Sequence, residues 1–321
     1  MNKLVLATDL GGTNLRVAAV DRDGKILYRT KYETPKSERA DEIFRVITQA
    51  ARKCQEAVEK NGKIIAVGAA VPATVNAADG IILKAPNLPA LDGVRFSAAI
   101  SGELNLPVIL ENDANSAAIG EHWRGASNGF DNSICVTLGT GVGGGIILSG
   151  EILRGVDGTA GEIGHICVEP FGAPCGCGSR GCVEQYSSAT AIVRIVQELK
   201  NQYPQSLLFE KLFKKTRCTS LDVYEAGKAG DELALEAFRQ MGFYLGIALA
   251  DLVNVLNPEV IVIGGGAAAG WDLFIHHVRN QIYSHAFREP AERAKLLRAK
   301  LGDDAGILGA ARLAFNLSLI G

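Results

Sequence analysis

Between residues 4 and 34 the apolar positions fall into three short runs separated by turn residues. Residues 4–8 end in Asp9 and Gly11-Gly12, residues 15–20 end in Asp21-Arg22-Asp23-Gly24, and residues 25–34 follow. Aliphatic runs joined by turns this tight predict an antiparallel meander of three strands. From Ser37 the period changes: Ile43, Val46, Ile47, Ala50, Cys54, Ala57 and Val58 recur at helical spacing up to Asn61-Gly62, a stop signal. Cys54 lies on the apolar face of that helix and reads as core. Residues 64–71 and 108–110 predict buried strands, the second leading into a helix from 114 to about 123.

About 130 residues on, the opening pattern returns. Residues 133–138 form an apolar run, Gly139 to Gly145 a glycine-rich turn, 146–148 a second run, Ser149-Gly150 a hairpin turn and 151–153 a third run. Two copies of one strand-glycine-strand-turn-strand unit imply two similar subdomains, a duplication rather than a solenoid. A Gly- and Cys-rich insertion lies between Glu162 and Glu184. Residues 191–203 and 221 to about 256 read as helical, 259–263 as a buried strand ending in Gly264-Gly265-Gly266 before another helix, and Gly306 onward as a last helix.

Composition narrows the class. The 321 residues are 47% apolar and 21% charged, with Lys+Arg 33 against Asp+Glu 35, the balance of a two-domain globular protein with ample core. A net charge of -2 without a basic run offers no field for a nucleic-acid backbone. No run approaches a membrane span and the start does not read as a signal peptide, so a cytoplasmic protein with neither membrane nor nucleic-acid partner is expected. Glycine is enriched, 37 residues concentrated in a few turns, so the backbone is being asked to approach something closely.

Asp9-x-Gly11-Gly12-Thr13-x-x-Arg16 sets a carboxylate at a strand end beside two glycines. Lacking a Cβ, Gly11 and Gly12 let amides point at a phosphate, and the carboxylate suits a hydrated Mg²⁺; a plain hairpin turn accounts for the same residues. Gly139-x-Gly141-x-x-Gly144 fits the dinucleotide fingerprint literally. That motif opens a helix, however, and Ile146-Ile147-Leu148 continues as a strand, so it reads as a second phosphate-contacting turn with amides and the Thr140 hydroxyl as donors. No P-loop lysine motif is present. Glu111-Asn112-Asp113 ends a strand and starts a helix; Asp113 could be its N-cap, or the pair could bind a polyol and take a proton from it. Gly264, Gly265 and Gly266, between strand and helix, suit a nucleotide edge.

His165 with Cys175, Cys177 and Cys182 supplies the ligand set of a closed structural zinc site, with Cys167 a competing fourth ligand. With protein ligands at every position, the ion would shape the loop rather than perform hydrolysis.

Together, Asp9-Leu-Gly-Gly-Thr-Asn-Leu-Arg16, Glu111-Asn-Asp113, Leu138-Gly-Thr-Gly-Val-Gly-Gly-Gly145, Gly161-Glu-Ile-Gly-His165 and Cys175-Gly-Cys-Gly-Ser-Arg-Gly-Cys-Val-Glu184 resemble the ROK family of repressors, open reading frames and sugar kinases. The resemblance runs in order from residue 9 to at least Gly266. It implies an α/β chain with a duplicated actin-like, ribonuclease H-like ATPase fold, two domains flanking a cleft, and a zinc loop at 165–182. The expected small domain is residues 1–113 plus about 305–321, the large one 114–304.

The resemblance also implies ATP-dependent phosphorylation of a hexose on its 6-hydroxyl, with glucose the expected sugar. Asp113 is then the general base, and Asn87, Asn112, Glu162, His165 and Glu184 hold the sugar with it. His165 would serve zinc through one ring nitrogen and a sugar hydroxyl through the other. Asp9 would hold Mg²⁺; amides of Gly11, Gly12 and Thr13 and of Gly139, Thr140 and Gly141 would cradle the phosphates; Gly264 to Gly266 would border the adenosine. A homodimer is implied by the family. One departure stands out: Ala73 follows Pro72 where the family usually has Gly, which loosens the expectation about the sugar. N-acetylmannosamine, N-acetylglucosamine and fructose kinases share every motif named. A sugar-responsive repressor would need a winged-helix segment ahead of the first hairpin, and a zinc hydrolase would need an open ligand position.

Overall fold

Alternate residues of the first strand face opposite ways, and that parity organises the first half of the chain. In the computed structural model, which describes residues 2–209 and 218–320, β1 (Lys3–Leu10) sends Leu4, Leu6 and Leu10 into one core with α1 (Ala40–Ala57). Val5 and Ala7 enter a second core against the last helix, α10 (Ala305–Ile320), through Ile307, Leu308, Ala311 and Phe315. Asp9 shares the parity of Val5 and Ala7.

The first sheet has the order β3-β2-β1-β4-β7, with β2 at Asn14–Asp21, β3 at Ile26–Glu33, β4 at Lys63–Val71 and β7 at Val108–Asn112. The expected meander is present: β1, β2 and β3 pair antiparallel, and β4 and β7 add in parallel. A second sheet repeats the plan as β10-β9-β8-β11-β12, from Ser133–Leu138 (β8), Val142–Leu148 (β9), Glu151–Ile152 (β10), Val260–Gly264 (β11) and Lys295–Arg298 (β12). Each sheet runs third, second, first, fourth, fifth strand, as the duplication expects. The hairpin β5 (Thr74–Asn76) and β6 (Ile81–Lys84) and helix α2 (Phe96–Leu104) intervene before β7.

Two compact units result: Met1–Gly129, Gly145–Gly161 and Lys300–Gly321 form one, Phe130–Gly144 and Glu162–Ala299 the other. The sequence-based boundary at 113/114 differs from this division. Helix α3 (Asp113–Arg124) stays with the first unit because it packs on α10 so closely that a Cβ added to Gly309 would strike the Ser116 carbonyl. Glu121 of α3, fully buried, accepts the amides of Ala126 (2.6 Å), Lys300 (3.0 Å) and Leu301 (2.8 Å), which fixes the run into α10 and moves that return to Lys300.

The second unit carries α4 (Glu184–Ser187), α5 (Ala189–Leu199), α6 (Ser220–Lys228), α7 (Glu232–Leu256), α8 (Trp271–His285) and α9 (Arg288–Arg293). The apolar pattern over 221–256 is two helices rather than one. Gly230 adopts φ +87° between them, and Asp231 caps α7 by accepting the Ala234 amide at 2.9 Å. Among the described residues no helix is long and apolar enough to cross a membrane.

Candidate active site and metal centre

The parallel strands β1, β4 and β7 end at one edge, where Asp9 pairs in register with Ala70, and Ala70 with Glu111. Asp9 and Glu111 are thus two strand spacings apart, about 10 Å. Arg16, opposite Asp9 on β2, donates from Nη1 to Asp9 at 3.1 Å and from Nη2 to Asp303 at 2.7 Å. Parity aims Asp9 at the start of α10, where a Cβ added to Gly306 would lie 3.4 Å from its carboxylate. Burial pushes the Asp9 carboxyl above its ordinary range, and Arg16 pulls it only part of the way back. A part-buried carboxylate in that state is suited to a cation.

At the first glycine turn the Gly11 amide donates to the Asn14 carbonyl at 2.8 Å, which takes Gly11 out of the expected donor set. Thr34 accounts for two carbonyls: its hydroxyl donates to Gly11 at 2.6 Å and its amide to Thr13 at 2.9 Å. The amides of Gly12 and Thr13 are the ones left for a phosphate. Asn87 lies beside this turn, its Cβ 3.6 Å from where a Cβ on Gly12 would be. Its loop is held by Asp92, which accepts the Ala85 amide at 2.7 Å and pairs with Lys84.

Asn112, not Asp113, caps α3. Its Oδ1 accepts the amides of Ala114 (2.9 Å) and Asn115 (3.1 Å), and its Nδ2 donates to the Ala73 carbonyl at 3.1 Å. Asp113, at the first helical position, also accepts the Ala114 amide, at 2.9 Å. The capping role that the sequence left open for Asp113 therefore falls mainly to its neighbour. Beneath them Glu111, 1% exposed, accepts the Asn112 amide and Asn115 Nδ2, both at 3.1 Å, on one oxygen and Arg154 on the other.

In the second unit the Gly139 amide donates to the Gly141 carbonyl at 2.9 Å, so Gly139, like Gly11, closes its own turn. Glu184 accepts the Val142 amide at 3.0 Å and lies so near Gly141 that any Cβ there would strike it. Its carboxylate therefore braces the turn. Gly264 pairs in register with Thr137, which sets the triple glycine beside this turn, and Gly265 has φ +88° with its backbone against Leu138. A narrow slot lined by Ile192, Leu221, Tyr224, Gly266, Ala267 and Gly270 adjoins it.

His165, Cys175, Cys177 and Cys182 offer ligand atoms that all lie within 4.8 Å of one another; Cys167 is not in the group. Burial, with Cys175 and Cys177 beside it, pushes the Cys182 thiol up to about 12. Three neighbouring sulfurs cannot all become thiolates without a cation, so three thiols and an imidazole fit a tetrahedral zinc. His165 turns Nδ1 to Cys175 (3.7 Å) and Nε2 toward Glu162 (4.0 Å), so one ring bridges the cluster and a predicted sugar ligand.

Arg154, Thr34 and Thr190 are site-supporting residues that no local spacing announces. Each acts on a partner far along the chain.

The model of the ROK family matches residues 5–316. The chain is 39% identical over 306 residues to a glucokinase of Halalkalibacterium halodurans, spanning 95% of this chain and 92% of that protein. A ROK family glucokinase from Streptomyces griseus, solved in complex with glucose and AMPPNP, matches with TM-score 0.82 and 35% identity over 98% of this chain and 99% of that one. A ROK family transcriptional regulator, a homolog of the E. coli MLC protein, matches with TM-score 0.88 and 28% identity over 97% of this chain and 77% of that one.

Proposed function

We propose, from the premise that the chain belongs to the ROK family, that it transfers the γ-phosphoryl group of ATP to the 6-hydroxyl of glucose. The observation that carries this is the strand edge of the first unit, where Asp9 and Asn112-Asp113 end parallel strands of one sheet. Likeness to the two glucokinases supports the choice of sugar and donor.

Phosphoryl transfer depends on positioning and charge neutralisation. Asp113 takes the proton of the attacking hydroxyl as general base, oriented by the Asn112 cap. Asn87, Asn112, Glu162, His165 and Glu184 hold sugar hydroxyls. Asp9 would hold a hydrated Mg²⁺, which when bound neutralises phosphate charge. Amides of Gly12 and Thr13 and of Thr140 and Gly141 receive the phosphates, and Gly264 to Gly266 with the adjoining slot border the adenosine. His165, Cys175, Cys177 and Cys182 would hold a zinc that supplies shape to the loop bearing Glu184 and His165.

The enzyme is read as a cytoplasmic homodimer; light scattering on purified protein tests the dimer. An ATP-coupled assay across glucose, mannose, fructose, N-acetylglucosamine and N-acetylmannosamine tests the function. Glucose should give the highest kcat/KM, and an N-acetylated sugar in its place would reassign the substrate. The likeness to a transcriptional regulator favours a sugar-binding regulator as the second reading; no turnover with any sugar, alongside measurable sugar binding, would support it.

A further inference from the structure

The two glycine turns are backed by the same device. In the first, the Thr34 hydroxyl donates to the Gly11 carbonyl at 2.6 Å and the Thr34 amide to the Thr13 carbonyl at 2.9 Å. In the second, the Ala189 amide donates to the Gly139 carbonyl and the Thr190 hydroxyl to the Thr140 carbonyl, both at 2.8 Å. Each turn thus has two carbonyls taken by one amide and one threonine hydroxyl. The Ala189 amide is otherwise an orphan, since it opens α5 and has no partner within its own helix.

Peptide planarity gives this arrangement a consequence. Within one trans peptide the carbonyl and the following amide point opposite ways. Holding the Gly11 carbonyl against Thr34 therefore turns the Gly12 amide outward. Holding the Gly139 and Thr140 carbonyls against Ala189 and Thr190 likewise turns the Thr140 and Gly141 amides outward. Left unheld, such a turn could rotate its peptides and present carbonyl oxygens, which repel a phosphate, in place of amides, which attract it. Glycine makes that rotation easy, so the turns that most need fixing are those least able to fix themselves.

We propose that Thr34 and Thr190 are paired positioning residues for the phosphates of ATP, each locking the peptide orientation of one glycine turn from behind without touching the nucleotide. This rests on the kinase reading above. Among the described residues, Thr190 makes no hydrogen bond to the Cys/His cluster, Glu162, His165 or Asn87 and reaches the sugar residues only indirectly, through the turn that Glu184 also braces at Val142, so its effect should fall far more on nucleotide than on sugar. Thr34 is buried beside a turn that also neighbours Asn87, so its variant should shift nucleotide affinity first and sugar affinity less.

The test is calorimetric titration of the full chain, with Mg²⁺, by a non-hydrolysable ATP analogue, together with KM for glucose and melting temperature. Thr190→Val keeps the shape and removes the donor; it should weaken analogue binding by about three- to tenfold, the range of one hydrogen bond. Glucose KM should stay within about twofold. Thr190→Ser restores the hydroxyl and should return affinity to within about twofold of wild type. Thr34→Val combined with Thr190→Val should multiply the two losses, since the turns lie on separate elements. Wild-type analogue affinity in Thr190→Val, or an equal loss of glucose affinity, overturns the inference while the kinase reading stands. Failure of the wild-type chain to bind the analogue overturns both.

Discussion

Arg154 approaches Glu111 through two nitrogens, Nε and Nη2, each 2.8 Å from the same carboxylate oxygen, Oε2. The other oxygen takes the Asn112 amide and Asn115 Nδ2. The backbone that delivers Asp113 therefore rests on a buried carboxylate whose charge is balanced by one guanidinium. The Arg154 carbonyl also accepts the Ala160 amide at 3.1 Å, tying the run toward Gly161 to the same point.

Arg154→Met should leave that carboxylate uncompensated. Breaking a fully buried pair costs about 3–5 kcal/mol; with Arg154 half-exposed, about 2–3 kcal/mol is expected, read by urea denaturation. The kcat should fall at least about tenfold as the Asn112-Asp113 corner loosens. Replacing both partners, Glu111→Leu with Arg154→Met, removes the unpaired charge but leaves the Asn112 amide and Asn115 Nδ2 without their acceptor, so it should recover only part of the stability and none of the turnover. Recovery of turnover in the double variant would show that the pair serves folding alone.

Asp113→Asn should keep glucose affinity within about tenfold and lower kcat by about 10³, the size of a lost general base with its orientation. Binding and turnover measured separately decide it, because near-normal turnover would remove Asp113 from the chemistry.

Purified protein should carry about one zinc per chain by metal analysis. Cys177→Ser should lose the metal and weaken glucose binding together, since Cys182 lies two residues before Glu184 and His165 faces Glu162. Metal-free protein with full glucose affinity would separate the cluster from the sugar.

Burial raises the Asp9 carboxyl, so its ionised form costs folding stability above the raised pKa, and the cost is relieved as pH falls through it. Asp9→Asn should therefore melt higher than wild type at neutral pH. That gap should close as wild-type Asp9 becomes protonated at lower pH. Adding Mg²⁺ should raise the wild-type melting temperature and leave the variant unchanged; the same experiment should find the variant without kinase activity.

Much of the architecture was legible because strand parity and helical period are local signals. The meander, its repeat and the glycine turns are written within a few residues of each other. The β5–β6 hairpin and β12 are three or four residues long and partly exposed, too short for a period to show. The break at Gly230-Asp231 was hidden because the apolar period runs on through it.

In the site, glycines, the Cys/His cluster and Asn112-Asp113 were readable because their chemistry is clustered in sequence. The supports were not: Arg154 meets a partner 43 positions away, Thr34 one 23 away, and Thr190 one 50 away. The capping role went to Asn112 because either residue of the pair satisfies the sequence rule, and only the backbone at the strand end decides which side chain reaches the helix amides.

The first unit is assembled from three stretches of chain, the last beginning at Lys300. The sheet face formed by Val5, Ala7, Ala18 and Val20 waits for Ile307 to Phe315 to cover it. At about 5–20 residues per second, the ribosome needs roughly 10–40 s between residue 129 and the last helix. Throughout that interval the newly made strands are clad on one side only, so their apolar face stays open to water, and to unwanted association, until residues 307–315 have been made.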